Sequence, residues 1–269
     1  MAKSNNIRVG VGGWTFEPWR DNFFPKGLAH AKELEYASRQ LTAIEVNGTY
    51  YSTMKAASFK KWHDETPDDF MFSVKANRFA TNRRVLGEAA ESIARFTGSG
   101  LGELGKKLGP LVWQFMPTKQ FDAEDFEAFL ALLPKEADGH KLRHVMDVRH
   151  DSFKVPEYLA LARKYHCATV FADSDKFPSF ADLTADFVYA RLMKSEEKIA
   201  TGYAPDALDQ WAAAARTWAN GSEPDNLPRV EPRGKAGKDG KARDVFVFFI
   251  NGAKERAPAG AQALIERLG

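Results

Sequence analysis

Short apolar runs bounded by turn residues recur eight times along the chain, near residues 8–12, 42–47, 70–75, 110–115, 143–149, 167–172, 187–192 and 245–250. Most are separated by segments of helical periodicity, the pattern of repeated βα units around a parallel sheet. Eight units predict closure into one α/β domain over 1–269, a (β/α)8 TIM-type barrel. Several helices follow from spacing. After Asp122, a capping residue type, Phe126, Phe129, Leu130 and Leu133 fall at i, i+3, i+4 and i+7, and Pro134 stops the pattern. Leu208, Trp211, Ala212 and Ala215 repeat the spacing between Pro205 and Asn220-Gly221, and Ala261, Leu264, Ile265 and Leu268 repeat it at the end of the chain.

Two units break the regularity. The sixth and seventh runs start only about 20 residues apart, which leaves room for no more than a short, degenerate helix around Phe177 to Leu183. Before the eighth run, residues 221–243 are rich in Gly, Pro and Lys and lack apolar periodicity, so a flexible, solvated insertion is expected there.

Composition narrows the function classes. The chain has 44% hydrophobic residues, enough for a large core, and a net charge of +2, which implies neither disorder nor a strongly cationic surface. Its one cysteine, Cys167, sits in an apolar run and reads as a buried strand thiol. No disulfide within the chain is possible, and neither a secretory h-region nor a membrane-length apolar run is present, so a cytoplasmic protein is expected.

In a barrel of this kind, polar residues at the C-terminal ends of the strands face the site. Here every strand supplies some: Trp14 after the first, Glu45 and Asn47 on the second, Lys75 on the third, Gln114 on the fourth, Asp147, Arg149 and His150 on the fifth, Asp173 on the sixth, Tyr189 and Arg191 on the seventh, and Asn251 after the eighth. Alternation puts Glu45 with Asn47, Asp147 with Arg149, and Tyr189 with Arg191 on shared inward faces. Ionised groups buried there must be paired, hydrated or used, and the plain structural alternative is a salt bridge from Glu45 to Arg149 or Arg191.

The stretches Val11-Gly12-Gly13-Trp14-Thr15, Ile44-Glu45-Val46-Asn47-Gly48-Thr49-Tyr50-Tyr51, Phe72-Ser73-Val74-Lys75-Ala76, Leu111-Val112-Trp113-Gln114-Phe115, Asp147-Val148-Arg149-His150 and Phe187-Val188-Tyr189-Ala190-Arg191-Leu192 resemble, in order, the YecE-like family, also called domain of unknown function 72. The resemblance spans nearly the whole chain and implies a TIM-type barrel, but no reaction. The family usually has Glu at the position of Asp147 and a longer side chain at that of Gly48, and the 221–243 insertion is peculiar to this chain.

The leading reading is an enzyme that acts on a small polar or anionic substrate, carbohydrate- or phosphate-containing, by acid/base chemistry. Glu45, Lys75, Asp147 and His150 are its candidate catalytic groups. Trp14, Asn47, Tyr50, Gln114, Arg149, Asp173, Tyr189, Arg191 and Asn251 are its candidate substrate contacts. No cofactor is implied, and the metal variant, through Glu45, Asp147, His150 and Asp173, has no spacing signature. The alternatives are a nucleic-acid-binding or repair-type barrel, with Lys60-Lys61, Arg83-Arg84, Lys106-Lys107 and the 221–243 loop as a basic rim, and a ligand-binding barrel without turnover.

Overall fold

The computed structural model describes residues 6–20, 22–232 and 240–269. Eight parallel strands close a barrel: β1 (Ile7–Gly12), β2 (Ala43–Val46), β3 (Met71–Lys75), β4 (Leu108–Gln114), β5 (His144–Asp147), β6 (Ala168–Asp173), β7 (Phe187–Leu192) and β8 (Asp244–Phe249). Each strand pairs with its neighbours in sequence, and β8 pairs with β1. The strands therefore stand within a residue or two of the apolar runs, apart from β5, which stops at Asp147. Gly10 makes one of these pairings possible. A Cβ on it would lie 1.9 Å from the Ala43 carbonyl oxygen, so only glycine lets β1 approach β2 this closely.

Alternation divides the strand residues between two cores. Outward residues such as Ile44, Val46, Phe72, Val74, Leu111, Trp113, Val245 and Val247 pack against the surrounding helices in the larger cluster. Inside the barrel, Ala43, Val112, Val145, Val170, Phe187, Tyr189, Phe246 and Phe248 fill the lower layers. Arg143 closes the N-terminal end, paired with Asp244 at 2.6 Å and lying over the Phe187 and Phe246 rings. Buried ion pairs gather at the C-terminal end of the interior.

The predicted helices form as Ala123–Ala131, Pro205–Ala219 and Ala257–Leu268. The Asp122 carboxylate accepts from the Asp125 amide at 2.9 Å, which caps the first of them as its sequence suggests. No helix stands between β6 and β7 among the described residues. Another segment fills the gap. The Asp182 carboxylate accepts from the amides of Val230 and Glu231 at 2.8 and 3.0 Å, Ala181 donates to the Pro228 carbonyl, and Leu227 and Val230 pack on the core. Arg163 ties the same patch down through the Leu183 carbonyl and Glu231.

Thus residues 227–231 of the expected flexible insertion are docked, by backbone groups held at Asp182 and Ala181 and by two apolar side chains on the core. Residues 233–239, the centre of that insertion, lie outside the described residues.

His144 is buried at the start of β5, where Nδ1 accepts from Trp113 Nε1 at 3.0 Å and Nε2 donates to the Pro134 carbonyl at 2.8 Å. Burial pulls its pKa down to about 4. Lys107 is no part of a basic rim. Its Nζ donates to the carbonyls of His63 and Thr66 at 2.6 and 2.7 Å, at the C-terminal end of helix Ala56–Glu65. Cys167 is buried, and burial pushes its thiol up to about 12.

Candidate functional site

Period-two alternation lifts one polar residue per inward row to the top of the barrel, and there the charges interlock. Arg191, 1% exposed, lies between two carboxylates. Its Nε and Nη2 donate to Glu45 Oε2 at 2.9 and 2.8 Å, and its Nη1 donates to Asp147 Oδ2. The Tyr189 hydroxyl also donates to Glu45 Oε2, at 2.6 Å, and touches Ser73 from below. Arg149 completes the set, with Nη2 2.9 Å from Asp147 Oδ2 and 2.6 Å from Gln114 Oε1, and its guanidinium over the Phe177 ring.

Two carboxylates and two guanidiniums balance. Burial alone would raise the Asp147 carboxyl, but Arg191, Arg149 and Lys75 outweigh it and hold the group below its ordinary value. Burial likewise disfavours the Arg191 cation, and Asp147 and Glu45 more than offset it, so Arg191 stays charged. The other oxygen of Glu45, Oε1, is buried and has no hydrogen-bond partner among the described residues.

Above this layer opens a cavity of about 630 Å³. Trp14, Glu45, Asn47, Lys75, Gln114, Arg149, Arg191 and Asn251 all line it, as their strand positions suggest. Lys75 Nζ donates to Asn47 Oδ1 at 3.3 Å and lies 4.6 Å from the centre of the Tyr50 ring. Burial, then the nearby Arg191 charge, lower its pKa to about 8.

Five expected site residues do not line the cavity. Asp147 and Tyr189 lie beneath it and fix Arg191 and Glu45, while Tyr50 flanks Lys75. His150 and Asp173 are directed elsewhere. His150 Nδ1 meets the Ser152 hydroxyl at 2.8 Å and the Ser152 amide at 3.2 Å, capping the turn Asp151–Phe153, and Asp173 accepts from the Tyr203 hydroxyl at 3.0 Å near Lys194. Burial raises the Asp173 carboxyl. Hence the metal set Glu45, Asp147, His150 and Asp173 does not converge, since the first two carboxylates grip Arg191 and the others face different loops. No cluster of three or more His, Cys, Asp or Glu side chains suited to a metal exists among the described residues.

The cavity also contains groups that strand alternation cannot point to. Lys254 lines it from the loop after β8, its ammonium 4.3 Å from the centre of the Phe16 ring and its pKa lowered by burial. It lies three residues past Asn251, in a loop where barrels often hold anions, and that position was the available signal. Trp19, Tyr51, Met54 and Trp62 supply apolar wall, with Trp62 edge-on to Trp14 at 5.2 Å. Gly48 lines the mouth, and a Cβ there would meet Met54 Cε at 3.4 Å, so the absent side chain leaves the entrance wide.

Against known proteins, a 78-residue stretch is 31% identical to the UPF0759 protein YunF of Bacillus subtilis (strain 168). That match spans 29% of this chain and only 27% of the relative. The fold is similar to that of a DUF72 family protein from Thermotoga maritima MSB8, with a TM-score of 0.73 at 20% identity over 97% of this chain and 98% of that one. A DUF72 family protein from Enterococcus faecalis V583 gives a TM-score of 0.70 at 15% identity, over 97% and 95% of the two chains. No helix among the described residues is long and apolar enough to cross a membrane. The family model described as "Protein of unknown function DUF72" matches residues 8–269, and the chain therefore belongs to the DUF72 family.

Proposed function

We propose that the barrel mouth is the active site of an enzyme that binds a small anionic, hydroxyl-bearing metabolite and moves a proton on it. One observation carries this reading: Lys75, set in the cavity wall with a pKa lowered to about 8, shares the cavity with Arg149 and Lys254. The buried quartet of Glu45, Asp147, Arg149 and Arg191 is neutral, so Lys75 and Lys254 are excess positive charge in a recess, which favours an anion.

Each lining group then has a task. Arg149 and Lys254 hold the phosphate or carboxylate, Arg149 through Nη1, since its Nε and Nη2 are held by Asp147 and Gln114. Asn47, Gln114 and Asn251 orient hydroxyl groups. Lys75 gives or takes the proton, since a group ionising near the working pH does both efficiently. Glu45 Oε1, held in place by the three bonds to Oε2, accepts from a substrate hydroxyl. Asp147 and Tyr189 act one step back, by fixing Arg191 and Glu45. Such a site suits an isomerase step, a proton removed beside a carbonyl and returned to a neighbouring atom.

Titration calorimetry tests this with ribose 5-phosphate, malate and uncharged ribose as probes. At least one of the anions should bind and ribose should not, and affinity should fall as pH rises through about 8, where Lys75 loses its charge. Lys75→Met and Arg149→Met should each weaken binding at least about 10-fold. Equal binding of ribose and both anions would refute the reading.

A further inference from the structure

A second concavity of about 610 Å³ opens beside the barrel mouth, and Tyr51 forms part of the wall of both. Its floor combines aromatic faces with cations. Tyr51 and Phe79 are 67% and 61% exposed, two of the four large hydrophobic residues exposed among the described residues. The Arg78 guanidinium lies 5.9 Å from the centre of the first ring and 5.6 Å from that of the second. Arg83 is fixed alongside by the Phe79 carbonyl and the Ser92 hydroxyl, both at 3.0 Å. Exposing two large rings together is unfavourable in water unless a ligand covers them, and rings interleaved with guanidinium planes stack flat aromatic groups of any sequence or substituent.

We propose that the ligand is a nucleoside monophosphate, its phosphate in the barrel mouth and its base stacked on the ledge of Tyr51, Phe79 and Arg78. This rests on the anionic reading of the mouth and adds the part of the ligand that the mouth does not hold. Tyr51 is common to both recesses, so a ligand seated in the two would cross its ring. A single nucleotide fits better than a strand, because the cations form no track. Lys60 pairs with Asp64, Lys61 with Glu65 and Arg95 with Glu91, and Lys107 is buried under a helix end.

Calorimetry with adenosine and uridine 5′-monophosphates, ribose 5-phosphate and octathymidylate, on the unmodified protein and on Phe79→Ala, tests the proposal. Phe79 is largely exposed and outside the barrel mouth, so its loss should leave folding and ribose 5-phosphate binding intact. At least one nucleotide should bind about 10- to 100-fold more tightly than ribose 5-phosphate, and Phe79→Ala should remove most of that advantage. Equal affinity for ribose 5-phosphate and both nucleotides would overturn the ledge and leave the anion site standing. Absence of binding by all phosphates would overturn the nucleotide ligand, and the anion site falls with it only if malate also fails to bind. Octathymidylate binding far more tightly than either nucleotide, with a steep salt dependence, would overturn the single-nucleotide ligand in favour of a strand.

Discussion

Replacing Lys75 with Met should stabilise the protein near neutral pH while weakening anion binding at least about 10-fold. Folding lowers the Lys75 pKa from 10.5 to about 8, so near pH 7 the folded state carries a charge that its surroundings disfavour. At 1.36 kcal/mol per pKa unit, a shift of about 2.5 units corresponds to about 3 kcal/mol. Lys75 is only 9% exposed, so solvent screening removes little of this. Below pH 8 both folded and unfolded chains are protonated and the full penalty applies. Between 8 and 10.5 only the unfolded chain holds the proton, so the penalty shrinks as pH rises and is gone above 10.5. Methionine has a similar reach, keeps the contact with Tyr50 and carries no charge. Urea unfolding at pH 7, 9 and 10.5 reads the effect directly. The variant should be more stable by about 2–3 kcal/mol at pH 7, and the difference should close across the two higher values. A variant less stable at pH 7, or a difference that does not change with pH, would refute the reasoning.

Three other predictions concern the frame around the site. Glu45→Gln should cost about 3–5 kcal/mol in urea unfolding with an unchanged m-value, because it leaves Arg191 short of one buried partner; a cost below about 1 kcal/mol would contradict the interlocked quartet. His144 is neutral when folded, with a pKa near 4 against 6.5 ordinarily, so stability should fall by up to about 3 kcal/mol as pH drops from 6.5 to 4. His144→Phe should flatten that dependence, and an unaltered slope would count against it. Asp182→Ala strands two backbone amides and should cost about 2 kcal/mol and expose residues 224–232 to limited proteolysis, whereas unchanged stability and digestion would mean that the segment is not held there.

Much of the barrel is legible in the sequence because strand alternation is a property of the backbone. Ile44-Glu45-Val46-Asn47 sends Glu45 inward whatever surrounds it, and Phe187, Tyr189 and Arg191 follow the same rule on β7. The choice of partner is a different matter. Glu45 takes Arg191 rather than Arg149, and that depends on strand tilt and register across the barrel, which no local pattern carries. Past the strand ends, alternation stops. His150 finds Ser152 in its own turn and Asp173 finds Tyr203, so both leave the cavity, while Lys254 enters it from a loop with no period. Residues 227–231 looked unanchored because the Asp182 carboxylate and the Ala181 amide that hold them lie about 50 residues away and engage backbone groups, which leaves no mark on their side-chain pattern.

The most direct test of an anion-binding, proton-transferring barrel mouth is an NMR titration of the protein with lysines labelled with carbon-13 at Cε, assigned by Lys75→Met and recorded with and without ribose 5-phosphate. One resonance, absent from the variant, should titrate near pH 8, and the anion should move that midpoint upward by stabilising the ammonium. If Lys75 instead titrates at the ordinary lysine value and is indifferent to the anion, the central claim is wrong.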